Sequence, residues 1–307
     1  MRNGTECARR ALLFAVIVAV LLAIPAAASA AVVVNGGFET GTLAGWTEQD
    51  QAGSAGSWYV YSTSSPLTGH PIPAPPQGSF AAITDQTDVS SSILYQNITL
   101  KPKEKHILSL YVYYTSYAPI SSPPTLDYTT SANQQYRIDV MNPSSSLTSV
   151  SSPDILDPVF ATVTGAPEVM APTVITANLS QFAGQTVRLR LAMVDNENYF
   201  NAGADDVMVT STPVVKTRKA SKVRHHSARL NGSVTPNGGP TTYYFQYGKT
   251  KHYGKKTKAN SAGLGNAAEK EFASIKHLKP GTKYHFRIVA ENAAATSHGK
   301  DHTFTTA

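Results

Sequence analysis

The strongest constraint on this chain is the recurrence of short apolar runs separated by turn-rich gaps, with no stretch that could hold an amphipathic helix. Before residue 212 the candidate strands are 57–62 (SWYVYS), 79–84 (SFAAIT), 92–100 and 107–116 (ILSLYVYYTS). Further candidates are 135–141 (QYRIDVM), 173–179, 186–194 (TVRLRLAMV) and 205–210. Strands this short bury one face each and must turn back every few residues, which is the pattern of an antiparallel sandwich. Segments 118–130 and 142–153 are rich in Ser and Pro and read as loops within that unit, not as linkers. The expected fold class is all-β.

Side-chain alternation sorts the strand faces. Along 107–116, Leu108, Leu110 and Val112 fall on one side, and Ser109, Tyr111, Tyr113 and Thr115 on the other. Along 135–141, Tyr136, Ile138 and Val140 oppose Arg137 and Asp139. Along 186–194, Val187, Leu189, Leu191 and Met193 point inward, leaving Arg188 and Arg190 outward. An outer face of Tyr, Arg and Asp has the chemistry of sugar recognition: flat rings for C–H faces and charged groups for hydroxyls. Tyr111, Tyr113, Arg137, Asp139, Arg188 and Arg190 are therefore the candidate ligand-binding residues. The competing reading is a solvated sheet face decorated with ion pairs.

Composition places the chain outside the cell. Arg2, Arg9 and Arg10 precede the apolar run ALLFAVIVAVLLAI, and Pro25 and small residues to Ala30 follow, which are the three parts of a secretory signal. The apolar run is shorter than the roughly 18 residues of a comfortable membrane span. Cleavage leaves no membrane span; an uncleaved anchor is the alternative. The only cysteine, Cys7, precedes this run, so the mature chain has no disulfide and no thiol ligand. Charge is unevenly divided. Residues 31–211 carry six Lys/Arg against fifteen Asp/Glu, whereas residues 212–307 carry seventeen against four. A basic tail on an acidic body favours anionic partners, here a wall polymer or polysaccharide before nucleic acid.

The stretch NGGFETGTLAGW, from Asn35 to Trp46, resembles the opening strand of galactose-binding-like jelly-roll domains of the carbohydrate-binding-module type. The run NAGADDVMV, 201–209, resembles the closing strand of the same families, and the resemblance spans roughly 33–210. It implies a jelly-roll fold and carbohydrate binding. It also implies a structural Ca2+ shared by an acidic residue of the first strand and one of the last. On this sequence those are Glu39 and one of Asp205 or Asp206. Hard oxygen ligands from two distant strands would clip the ends of the unit together.

After residue 211 further strand-like runs occupy 214–221, 226–234, 241–247, 269–278, 283–292 and 300–306. With LKPGTKY at 278–284 and NAAATSHG at 292–299, the segment resembles a bacterial fibronectin type III domain. Tyr284 is then the corner tyrosine whose hydroxyl bonds upstream backbone, and Leu230 fills the place of the tryptophan usual in that fold. The segment 214–221 would be both linker and first edge strand. Seven of the nine histidines lie here, including His225 and His226, and lysines 249, 251, 255, 256 and 258 surround Tyr253. Both groups are read as solvated basic surface before metal or polyanion sites.

No nucleophile elbow, HExxH helix, phosphate loop or CxxC pair occurs. The chain is therefore expected to be a secreted, non-catalytic binding protein: a signal (1–30), a jelly-roll unit (31–211) and a fibronectin type III-like unit (212–307). The first would read a polysaccharide or cell-wall glycan, and the second would act as spacer or wall contact. A structural or adhesive protein that binds protein partners is the alternative.

Overall fold

The computed structural model describes residues 32–307; the segment 1–30, expected to be an export signal, lies outside the described residues with its Cys7. No helix among them is long and apolar enough to cross a membrane. Ten strands come first: β1 (Thr47–Asp50), β2 (Gly56–Tyr61), β3 (Ala81–Gln86), β4 (Ser90–Thr99), β5 (His106–Ser116), β6 (Gln134–Met141), β7 (Ile155–Ala161), β8 (Val169–Asn178), β9 (Thr186–Asp195) and β10 (Phe200–Ser211). They form two five-stranded sheets, β1-β4-β9-β6-β7 and β2-β3-β10-β5-β8, with every neighbouring pair antiparallel. The alternation read from the sequence holds: Leu108, Leu110, Val112, Ile138, Val140, Leu189 and Leu191 share one core between the sheets, each at most 1% exposed. Their burial is the main source of stability, at roughly 25 cal/mol per Å² of apolar surface removed from water.

The glycine-rich opening differs from expectation. Residues 32–46 form bends and turns, not a strand. Asn35 and Phe38 take positive φ of 50° and 55°, which breaks an extended run. Gly36 is required there, since a Cβ would stand 1.9 Å from the Val207 carbonyl oxygen, and Val207 N–H donates to Gly36 O at 2.8 Å. Phe38 is fully buried and stacks on Trp46 with ring centroids 5.7 Å apart. The opening therefore docks on the bulge of β10 as a plug.

A second set of strands follows: β11 (Val214–Ser221), β12 (Ser227–Thr235), β13 (Thr241–Gly248), β14 (Lys255–Lys256), β15 (Asn260–Gly263), β16 (Glu269–Lys276), β17 (Lys283–Glu291), β18 (Thr296–His298) and β19 (His302–Thr305). The sheet β11-β12-β16 faces a second sheet built on β13 and β17. Leu230, Phe245, Phe286 and Ile288 fill a core of their own, each at 0% exposure. Segment 214–221 is wholly strand, so the connection shortens to Thr212 and Pro213. There Asn292 Nδ2 donates to Ser211 O at 2.9 Å and Asn237 Nδ2 to Thr212 O at 2.7 Å. Tyr284 accepts a bond from Lys279 N–H at 3.0 Å, the backbone contact expected of it.

Candidate functional site

The residues chosen for an outer sugar-binding face do not share one face. Tyr111 and Tyr113 lie on β5, while Arg137, Asp139, Arg188 and Arg190 lie on β6 and β9, in the opposite sheet. Alternation identifies outward residues, but long-range pairing decides which sheet they look out from. Tyr113 is fully buried in a small outer cluster with Tyr61, Ala81 and Ile83 under loop 62–79, and its hydroxyl meets that of Tyr61 at 2.7 Å. Burial raises both phenols, that of Tyr61 to about 12. Tyr111 is half-buried, its hydroxyl 3.2 Å from Gln77 Nε2.

On the other sheet the charges are spent inside the protein. Asp139 is fully buried and accepts from Arg137 Nε at 2.8 Å and Arg190 Nη2 at 2.6 Å. Arg190, itself fully buried, donates its other bonds to the carbonyls of Leu147 and Ser149. Arg188 reaches Ser145 O and Pro143 O and lies over the Tyr95 ring, 4.8 Å from its centroid. Loop 142–153 is thus pinned over this face by arginines. The arrangement commits these charged side chains to contacts within the protein.

The carboxylates proposed for Ca2+ do meet, but around a piece of chain. Glu39 accepts from Ser79 N–H at 3.0 Å and Phe80 N–H at 3.2 Å, and Asp205 accepts from Gln77 N–H at 2.9 Å. Gly78 sits between them at φ +60°, where a Cβ would stand 2.1 Å from Glu39 Oε1. Asp205 Oδ1 accepts from Asp206 N–H at 2.6 Å. Burial, opposed by these N–H donors, raises Asp205 to about 6, and burial also raises Asp206. Every oxygen of Glu39 and Asp205 already accepts an N–H, so this donor set fits a hydrogen-bonded clasp better than a cation. Among the described residues no three His, Cys, Asp or Glu side chains form a metal-ligating group.

The open, chemically diverse surface lies instead at the end of the first sandwich where β9 turns into β10. Residues Thr87, Asp88, Val89, Asp195, Asn196, Glu197, Asn198 and Tyr199 line a cleft of about 250 Å³. Tyr199 joins it to an aromatic cluster, with His70 at 4.6 Å and Tyr117, 40% exposed, at 6.4 Å between centroids. The three rings come from three loops, yet each is held. Tyr117 N–H donates to Tyr199 O at 2.9 Å, and Asn198 Nδ2 to Tyr117 O at 3.2 Å. Buried Asp85 ties down the His70 loop by accepting from Leu67 N–H, Thr68 N–H and Thr68 Oγ1 at 2.6, 3.0 and 2.8 Å. The Thr68 hydroxyl has one hydrogen and gives it to Asp85, so His70 Nδ1, 2.9 Å away, must donate to Thr68 Oγ1. Anchored rings beside Asp, Glu and Asn side chains can stack a flat apolar face and bond the hydroxyls around it.

Sequence reading missed this site because His70, Tyr117 and Tyr199 lie in loops with no periodicity to connect them. The available signal was modest: aromatic residues bordering predicted strands next to Asn, as in NENYF. In the second unit, His226 Nδ1 lies 3.0 Å from Leu278 O, and Tyr253 bonds Asp301 with Arg287 over its ring. The five lysines around Tyr253 are all exposed.

No family model matches the chain, and no curated protein matches it. Solved structures are similar to parts of it. TmCBM61 in complex with β-1,4-galactotriose is 13% identical, over 60% of this chain and 99% of its own, with TM-score 0.34. A cleaved adhesin domain of Lys-gingipain from Porphyromonas gingivalis is 13% identical, over 57% and 95%, with TM-score 0.33. The sensor domain of an anti-sigma factor from Pseudobacteroides cellulosolvens is 23% identical, over 31% and 89%, with TM-score 0.25. Likeness at this level leaves function to be argued from the residues of this chain.

Proposed function

We propose that this is a secreted, non-catalytic binding protein whose first unit recognises a polysaccharide or cell-wall glycan at the end cleft, not on a sheet face. The observation that carries the reading is the anchored His70–Tyr117–Tyr199 cluster opening onto a polar cleft. Binding would be passive docking onto a preformed surface. The second unit, of fibronectin type III type in this reading, would space the first from the wall or touch it. Its sheet β11-β12-β16 offers Arg218, Lys219, Arg229 and Lys270 around Phe272, which is 51% exposed with the Arg229 guanidinium 3.5 Å from its ring centroid. That surface suits an anionic wall polymer.

A structural or adhesive role is the second reading, and one observation favours it: loops 62–79 and 142–153 cover part of the outer face of each sheet. A glycan-array screen of the full mature chain separates the two. Saturable binding that falls at least about tenfold, or about 1.4 kcal/mol, in Tyr199→Ala supports the glycan reading. Silence across the array with folded protein overturns it.

A further inference from the structure

The outer face of the sheet β11-β12-β16 gathers cations around an exposed ring. Register sets its residues in rows across the three strands: Lys216, Ser233 and Lys270 in one, Arg218, Asn231 and Phe272 in the next, and Ser221, Arg229 and Ser274 in the third. Neighbouring strands lie about 4.8 Å apart, so the flanking members of a row stand about 10 Å from each other. Arg218, Lys219, Arg229, Lys270 and Phe272 line one groove of about 570 Å³ on this face. Glu271 is the one acidic residue in the lining; it stands opposite Gly232, out of phase with the outward residues, and lies beside the Tyr243 phenol. Asn231 Nδ2 fixes the floor by donating to Lys219 O at 2.8 Å and Ser221 Oγ at 3.0 Å. Arg229 enters none of the ion pairs among the described residues, and its Nε is buried without a hydrogen-bond partner. Its guanidinium is held in place by the Phe272 ring, 3.5 Å from the centroid. Arg218 Nη2 reaches Ser233 Oγ only at 3.5 Å, a long bond.

A buried guanidinium N–H without an acceptor is costly, and stacking on a ring orients the charge without neutralising it. Arg218, Lys219 and Lys270 beside it add a positive field that draws an anion. Phe272 is 51% exposed with Arg229 over one face, so apolar ring surface remains open. The fitting partner presents negative charge and a flat C–H surface together. A bare phosphodiester chain offers the first without the second, and a neutral sugar the second without the first. A sugar ring bearing a carboxylate offers both: its C–H face covers Phe272 and its carboxylate takes an arginine fork bidentately. We propose that the outer face of β11-β12-β16 binds an acidic polysaccharide built from uronic acid residues, with Phe272 and Arg229 at the centre and Arg218, Lys219 and Lys270 along the polymer. This deepens the anionic-polymer reading of the same surface and is independent of the end cleft.

The experiment is calorimetric titration of the full chain with three polymers: polygalacturonate, its full methyl ester, which keeps the rings and loses the charge, and inorganic polyphosphate, which has charge without rings. Polygalacturonate should bind saturably, more weakly as salt rises, and at least about tenfold tighter than either of the others. Arg229→Gln should weaken it at least about tenfold, and Phe272→Ala about three- to tenfold. Lys270→Gln, at an exposed position, should weaken it too and keeps the test decisive if a variant of the stacked pair fails to fold. Tyr199→Ala should leave it unchanged. No binding of polygalacturonate overturns the proposal, and Tyr199-dependent binding of a neutral glycan in the same protein would leave the cleft reading standing. Polyphosphate binding as tightly, or the methyl ester binding as tightly, overturns it by showing that charge alone or the ring alone suffices. Self-association without polymer, abolished by Arg229→Gln, would place the acidic unit of a second copy on this face and overturns it as well.

Discussion

Asp139→Asn tests whether the charged residues under loop 142–153 hold the fold or await a ligand. Asp139 receives both Arg137 and Arg190, and the Arg190 side chain has no solvent exposure. An amide at this position keeps the volume, removes the counter-charge and turns an N–H₂ toward guanidinium donors. Breaking one member of a buried pair costs about 3–5 kcal/mol. The low end applies, because Arg190 keeps the Leu147 and Ser149 carbonyls. For a unit of this size each kcal/mol lowers Tm by roughly 2–4 °C, so the first sandwich should melt roughly 6–12 °C earlier. Urea unfolding followed by tryptophan fluorescence reads the change, since Trp46 and Trp58 are both buried in this core. A loss below about 0.5 kcal/mol, the size of an ordinary surface substitution, would refute a structural role for the triad. Glycan binding reduced in a still-folded Asp139→Asn protein would refute the placement of the site.

Three further outcomes follow from the same geometry. Stability should fall as pH rises from 5 to 8: the Asp195 carboxyl, raised to about 8, holds a proton in the folded chain that the unfolded chain has lost. Asp205, raised to about 6, adds to that fall over its lower part, and Asp195→Asn should flatten the rest when melting points are compared across pH. Gly78→Ala should cost more than about 1 kcal/mol, because the new methyl meets the Glu39 carboxylate and the backbone has φ +60°; chemical denaturation of the variant reads it. Tyr284→Phe should cost about 1 kcal/mol through the lost bond to Lys279 N–H, measured in the unfolding of the second unit.

Alternation made the core readable in advance. The inward residues of β5, β6 and β9 are those read from the sequence, because their apolar side chains recur at period two and only one phase sets them between the sheets. Sheet membership was not readable, so Tyr113 and Arg190 were joined although β5 and β9 belong to different sheets. Local contacts defeated other readings. The expected strand at 79–84 begins two residues later because Ser79 and Phe80 give their N–H groups to Glu39. Strand β1, exposed at all four positions, carries no apolar alternation, and β7 contains Pro158, which suits only its edge position. The end cleft was invisible because residues 87–89 and 195–199, far apart in the chain, line it, and His70 and Tyr117 join it from two further loops.

The most direct test of the account compares Tyr199→Ala with Tyr111→Ala in binding isotherms against the strongest glycan from the array. Tyr199 belongs to the end cleft and Tyr111 to the outer face of β5. The account predicts a loss of at least about tenfold for Tyr199→Ala and less than about twofold for Tyr111→Ala, differences of about 1.4 and 0.4 kcal/mol. The reverse order would return the site to the sheet face and contradict the account.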